Sequence, residues 1–217
     1  MRKMTLPSAA IFDPLADEPA RRRGNRKSRV PEIIDVSINV LIAEGYAGYT
    51  INRVANDAGI RLSTLQHYFS NREALLRATL EEIAKRYFER FRGFAENKRR
   101  SPQARLEAII DDAFVEFAKP GLPASVLECW GLGLHEPFAR DIAVDIQQQF
   151  TRLFAKLVEE INPALSAEEC ELRGALIMTS LEGLIVFLRW NEDDAAKRHR
   201  FHKATKVVWS GFGNVDE

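Results

Sequence analysis

The apolar positions of this chain recur at helical spacing almost from end to end. Val30, Ile34, Ile38 and Leu41 step by four, four and three residues, which places them on one helix face and predicts a stop at Gly45, a natural C-terminal cap. Two short helices are predicted over about 51–58 and 62–68, and a long one from near Asn71 past Phe94. Pro102, Pro120, Pro123, Pro137 and Pro163 divide the rest into segments near 102–119, 123–136, 138–161, 166–190 and 193–210. No stretch alternates with period two for long enough to be a strand. The expected fold is all-α, with nine helices and no sheet. Residues 1–28 lack periodicity and are rich in Pro and charge, so they are expected to be a disordered extension.

Composition adds little until it is divided along the chain. With 46% hydrophobic and 29% charged residues, the 217-residue chain is of ordinary globular type. Its formal net charge of zero argues at first against a nucleic-acid partner. Residues 1–92, however, carry sixteen Lys/Arg against eleven Asp/Glu, and residues 93–217 carry fifteen against twenty. A basic N-terminal part on an acidic remainder is expected when one end meets phosphate. The run from Arg21 to Arg29 holds six cations and no acid. It reads either as a solvated tail or as an arm that supplements DNA binding.

Ala9–Phe12 is too short for a signal h-region and runs straight into Asp13 and Pro14. Ala175–Leu188 is interrupted by Thr179, Ser180 and Glu182 and falls short of a span, so no membrane partner and a cytoplasmic location are expected. Cys129 and Cys170 are too few for a disulfide framework and lack metal-ligand spacing; they read as small buried hydrophobes. A thiol sensor built on either is disfavoured, since neither has a resolving partner in sequence. His199 and His202 lie in a basic helix, and no metal or cofactor is expected there or elsewhere. No HExxH, P-loop, dinucleotide loop or nucleophile elbow is present, so a helical enzyme with catalytic residues is disfavoured.

The informative stretch runs from Thr50 to Phe69. Thr50 can cap the first short helix, whose Val54, Ala55 and Ala58 give a small inward face. Gly59 stands where the turn needs a left-handed residue, and Ile60 can plug the corner. In the second helix Leu65 and Phe69 point inward at i, i+4. Ser63, Thr64, Gln66 and His67 are left facing outward, a surface suited to base edges in the major groove.

From Arg29 to Leu80 the chain resembles the TetR family of regulators. The resemblance rests on Glu44-Gly-Tyr46, on Thr50 with the following Val-Ala-x-x-Ala-Gly-Ile, and on Thr-Leu-x-x-Tyr-Phe-x-x-Arg-Glu-Ala-Leu-Leu over 64–76. It implies a three-helix DNA-binding domain at 29–89, with its helix-turn-helix at about 50–69. A larger helical domain, 90–217, would bind an effector and dimerise. It further implies phosphate contacts from Thr50, Tyr68 and Arg72, and groove-facing roles for Asn52, Leu62, Ser63, Thr64, Gln66 and His67. Three positions depart from the family pattern: Arg61 replaces a Ser/Thr cap, Leu62 a polar residue, and Gln66 a frequent Tyr. Trp130-x-x-x-x-His135-Glu-Pro137 is similar to a motif of the BetI-type branch.

The C-terminal half yields candidates by type and position. Phe114, Phe117, Trp130, His135, Phe138 and Glu182 are bulky or polar among apolar helices and are nominated for an effector pocket. Segment 166–190 is apolar around much of its circumference, so it needs cover on two sides. Leu176, Leu181, Leu184, Ile185 and Leu188 are nominated for a homodimer seam, with Gly174 and Gly183 permitting close approach. The resulting expectation is a homodimeric repressor, released from a palindromic double-stranded operator by a small molecule.

Overall fold

The computed structural model describes residues 26–119, 122–191 and 193–214. They form nine helices: α1 (Arg26–Gly48), α2 (Ile51–Asp57), α3 (Leu62–Tyr68), α4 (Arg72–Ala95), α5 (Pro102–Glu116), α6 (Leu122–Gly133), α7 (Pro137–Ile161), α8 (Ala167–Trp190) and α9 (Ala195–Asn214). No strand occurs among the described residues, as the periodicity requires. The expected extension lies outside the described residues up to residue 25; residues 26–28 already belong to α1. Pro31 sits in the second turn of that helix, where it gives up one backbone hydrogen bond.

Side-chain caps set several helix starts. Thr50, Asn71, Ser101 and Ser166 each accept from the amide three residues on, at 3.1, 2.8, 3.2 and 3.1 Å. Such a cap contributes about 1 kcal/mol. At the end of α1, Gly45 takes φ 65°, ψ 178°, which breaks the helical path.

Two apolar clusters form the core. The first joins α1–α3 and the first half of α4 to Cys129 of α6 and to Phe138, Ala139 and Ile142 of α7. The second joins the end of α4 to α5, the rest of α7, α8 and α9 around Phe154 and Trp209. Helices α4 and α7 run through both clusters, so a boundary at 89/90 falls inside one continuous helix. Helices α7 and α8 approach closely at Gly174, where a Cβ would lie 2.6 Å from the Thr151 carbonyl oxygen and 2.7 Å from the Ala155 nitrogen.

The seam nominated on α8 is corrected here. Leu181, Leu184, Ile185 and Leu188 are buried in the subunit's own core, and of the five only Leu176 is exposed, at 44%. Both faces of the segment are apolar, and spacing alone does not tell which one meets the chain's own core. The open face instead carries Leu172, Leu176 and Trp190, and Val207 and Val208 of α9 are exposed as well. Gly183 also lies on the open side, where a Cβ would meet nothing within 4 Å.

Two glycine substitutions test the α7–α8 contact. Gly174→Ala is expected to lower stability by about 1–3 kcal/mol through overpacking. Gly93→Ala, at an exposed α4 position with open space around it, is expected to raise it by up to about 1 kcal/mol. Urea unfolding midpoints that move the same way for both would contradict the packing described.

Candidate nucleic-acid interface and buried cavity

A buried hydroxyl network positions the start of the helix-turn-helix. Tyr49 is fully buried; its hydroxyl lies 2.6 Å from Ser37 Oγ, which lies 2.7 Å from Thr79 Oγ1. Thr79 in turn donates to the Leu75 carbonyl at 2.7 Å. Burial raises the Tyr49 pKa, which keeps the phenol neutral. The next residue, Thr50, is thus anchored where it caps α2.

The turn follows from its residues. Val54 and Ala55 are buried, Gly59 takes φ 62°, and the Ile60 amide bonds back to the Ala55 carbonyl at 3.0 Å. In α3, Leu65 is fully buried and Phe69 packs half-buried beside it on the first cluster. Arg61 occupies the cap position of α3 without a side-chain cap bond. Thr50, Asn52, Leu62, Ser63, Thr64, Gln66 and His67 are all exposed. Tyr68 is half-buried against the first cluster, with the His67 ring edge-on to it at 5.5 Å.

Arg72 has a structural task that sequence reasoning missed. Its Nε donates to the Tyr49 carbonyl at 2.9 Å and its Nη2 to the Tyr46 carbonyl at 2.8 Å. The guanidinium also covers the Tyr46 ring, 4.4 Å from the centroid. Two of five donors are committed to the α1–α2 connection, and the others stay available to an anion. Arg53 of α2 pairs with Glu44 of α1 at 2.8 Å and with Asp57 on its own helix at 2.9 Å.

A second missed residue is Glu128 on α6. Its Oε2 accepts from the Tyr46 amide at 2.7 Å, and a Cβ on Gly45 would stand 2.7 Å from its Oε1. The glycine expected as a helix stop therefore also admits a carboxylate from a helix far away in sequence.

Helices α4, α6, α7 and α8 enclose a cavity of about 80 Å³. Tyr87, Phe91, Phe117, Trp130 and Phe150 give it aromatic walls, and no Lys, Arg or His among the described residues lines it. Of the six residues nominated for a pocket, Phe117, Trp130 and Glu182 line this cavity. The other three do not. Phe114 packs on His202, with ring centroids 4.5 Å apart. Phe138 is buried in the first cluster under the Arg77 guanidinium, and His135 is exposed beyond the end of α6. Aromatic type had signalled burial without saying in which cluster.

The polar groups of the cavity are few. Glu182 is half-buried and makes no hydrogen bond or ion pair among the described residues; burial raises its pKa. The buried Tyr87 hydroxyl has no hydrogen-bond partner among the described residues, and burial together with the nearby Glu116 raises its pKa. Burial pushes the Cys129 thiol up to about 11, so it stays protonated and a poor nucleophile near neutral pH. No cluster of three metal-binding side chains occurs among the described residues, nor a helix long and apolar enough to cross a membrane.

Residues 33–79, which hold the capped turn just described, match the family described as bacterial regulatory proteins, tetR family. Over 160 residues the chain is 28% identical to the HTH-type transcriptional regulator BetI of Burkholderia thailandensis, spanning 71% of this chain and 80% of the relative. The family match places a TetR-family DNA-binding region in this chain. This TetR-family regulator is also 26% identical over 167 residues to BetI of Vibrio parahaemolyticus, with 74% and 80% of the two chains covered. Its fold is similar to a TetR transcription regulator from Haloarcula marismortui, at TM-score 0.72 and 18% identity over 87% of this chain and 97% of that one. It is also similar to FadR from Bacillus subtilis in complex with stearoyl-CoA, at TM-score 0.63 and 16% identity over 86% and 99%. The protein is a DNA-binding transcriptional regulator of this family.

The two kinds of residue around the TetR-type turn separate in a melting experiment. Arg72→Ala is expected to cost about 1.5–3 kcal/mol, since two carbonyls lose a charged donor. Gln66→Ala and His67→Ala are expected to stay within about 0.5 kcal/mol, as exposed substitutions do. An Arg72→Ala variant as stable as the parent would remove its assignment to the α1–α2 connection.

Proposed function

We propose that this TetR-family protein is a homodimeric repressor that leaves a palindromic operator when a small molecule fills the α4–α6–α7–α8 cavity. The observation that carries the proposal is α3, whose inner residue is fully buried while Leu62, Ser63, Thr64, Gln66 and His67 are all exposed. A rigidly seated helix with that surface fits the major groove. Gln66, His67, Thr64, Ser63 and Asn52 supply donors and acceptors for base edges, with Leu62 beside them for apolar contact. Thr50, Tyr68 and the uncommitted donors of Arg72 hold the phosphate backbone, which positions the protein without reading sequence. Any contribution from the basic run that ends at Arg29 adds to the same phosphate term.

Dimerisation is assigned to the open face of α8 and α9. Trp190 is 79% and Val207 72% exposed, and Leu172, Leu176 and Val208 extend the same apolar surface. A patch of this kind is uncommon on a monomer, and a two-fold axis through it buries the same residues from both copies. The two readers then face two half-sites.

Release is a population shift: the effector must bind the conformer that fits DNA poorly better than the one that fits it well. Helix α6 is suited to couple the two. Ser125, Val126, Cys129 and Trp130 line the cavity, while Glu128 holds the Tyr46 amide at the edge of the reader. The named relatives are transcriptional regulators, and the fold neighbour from Bacillus subtilis holds an acyl ligand; both accord with this reading. Binding genomic DNA places the protein in the cytoplasm.

Selection of genomic fragments by the purified full chain tests the proposal. The expected product is an inverted repeat, bound by a dimer. Leu176→Glu and Val208→Asp should sediment as monomers, lose the repeat, and melt as folded proteins. Enrichment of no sequence at all would overturn the DNA-reading assignment. Variants that still sediment as dimers would place the seam elsewhere.

A further inference from the structure

Among the described residues, the cavity is lined by one carboxylate and by no cation. Glu182 lies, with Trp130 and Ala143, on the boundary shared by the cavity and an outer groove that runs past Leu134 and Val144. These three residues form the mouth between α6, α7 and α8. The cation of the outer groove, Arg140, is exposed and makes no ion pair with Glu182 among the described residues.

We infer that the ligand of this cavity is a small apolar monoamine, its protonated nitrogen donating to Glu182 at the mouth and its hydrocarbon body filling the aromatic interior. The inference rests on the effector-cavity reading given above and names its ligand class.

An anionic ligand would meet no Lys, Arg or His in the lining and would face Glu182, so its charge would be buried unpaired. A neutral apolar ligand would strip the remaining water from a carboxylate that has no other donor, and a buried acceptor left unpaired is costly. A protonated amine supplies both the charge and N–H donors, and it sits beside Trp130, whose ring face attracts cations. Burial already raises the carboxyl pKa of Glu182, as befits a group waiting for a partner.

Size limits the hydrocarbon body. A cavity of roughly 150 Å³ accommodates benzene, so about 80 Å³ takes a branched body of roughly four carbons, with the head group at the mouth.

Calorimetric titration of the full-length protein with one body and four head groups tests this. The probes are 2-methylpropylamine, its N,N,N-trimethyl derivative, 2-methylpropanol and 3-methylbutanoate. The amine should bind at least about tenfold tighter than the alcohol, as a charge-assisted hydrogen bond does over a neutral one. The trimethylammonium probe, with the charge but no N–H, should fall between them, and the carboxylate should not bind. Glu182→Gln should lose about tenfold or more for the amine and leave the alcohol unchanged, with a melting curve confirming its fold. Alcohol or carboxylate binding as tight as the amine, or a Glu182→Gln variant with full amine affinity, would overturn the ligand class and leave the cavity reading standing. If no probe binds, the cavity reading falls as well.

Discussion

The backbone amide of Tyr46 links the helix-turn-helix region to a helix far away in sequence. It donates to Glu128 of α6 at 2.7 Å, while the Tyr46 carbonyl accepts from Arg72 at the start of α4. The left-handed turn at Gly45 makes this possible, because a Cβ there would strike the carboxylate. Three residues later the chain reaches the buried Tyr49 and then Thr50, from which α2, the turn and α3 follow. The place of the reading helix therefore depends on where α4 and α6 hold this connection.

The energies are of the right size for regulation. A hydrogen bond to a charged group contributes about 1.5–3 kcal/mol, and coupling between two binding sites is typically about 1–3 kcal/mol. The apolar cluster shared by α1–α4, α6 and α7 keeps the reader attached throughout. On the proposed reading, changing one polar contact on that background would tilt the reader without unfolding it. The cavity lies on the same helix, with Cys129 and Trp130 next to Glu128 in the chain. On the proposed reading, a ligand that displaced α6 by a fraction of an ångström would act on this bond directly.

How much of this the sequence disclosed depends on the range of each interaction. The helices were legible because prolines and 3.6-residue spacing are local signals, and the turn was legible because Gly59, Leu65 and Phe69 act within ten residues. The face of α8 was not, since Leu176 and Leu184 carry the same hydropathy and only the packing of α7 and α9 decides which is covered. The cavity was half legible: Phe117, Trp130 and Glu182 line it, but Phe114 and Phe138 found partners elsewhere. Glu128 left no trace, because its partner is a backbone amide 82 residues away. Arg72 matched a family position, and that match concealed its bonds to Tyr46 and Tyr49.

The central claim is that Glu128 sets the position of the reader. It is tested most directly by the affinity of the selected operator for the Glu128→Gln and Glu128→Ala variants. The glutamine oxygen still accepts the Tyr46 amide, so Glu128→Gln should bind within about threefold of the parent. Glu128→Ala leaves that amide unpaired and should change affinity by about tenfold or more. Wild-type affinity in Glu128→Ala would show that the reader takes its position from the apolar cluster alone.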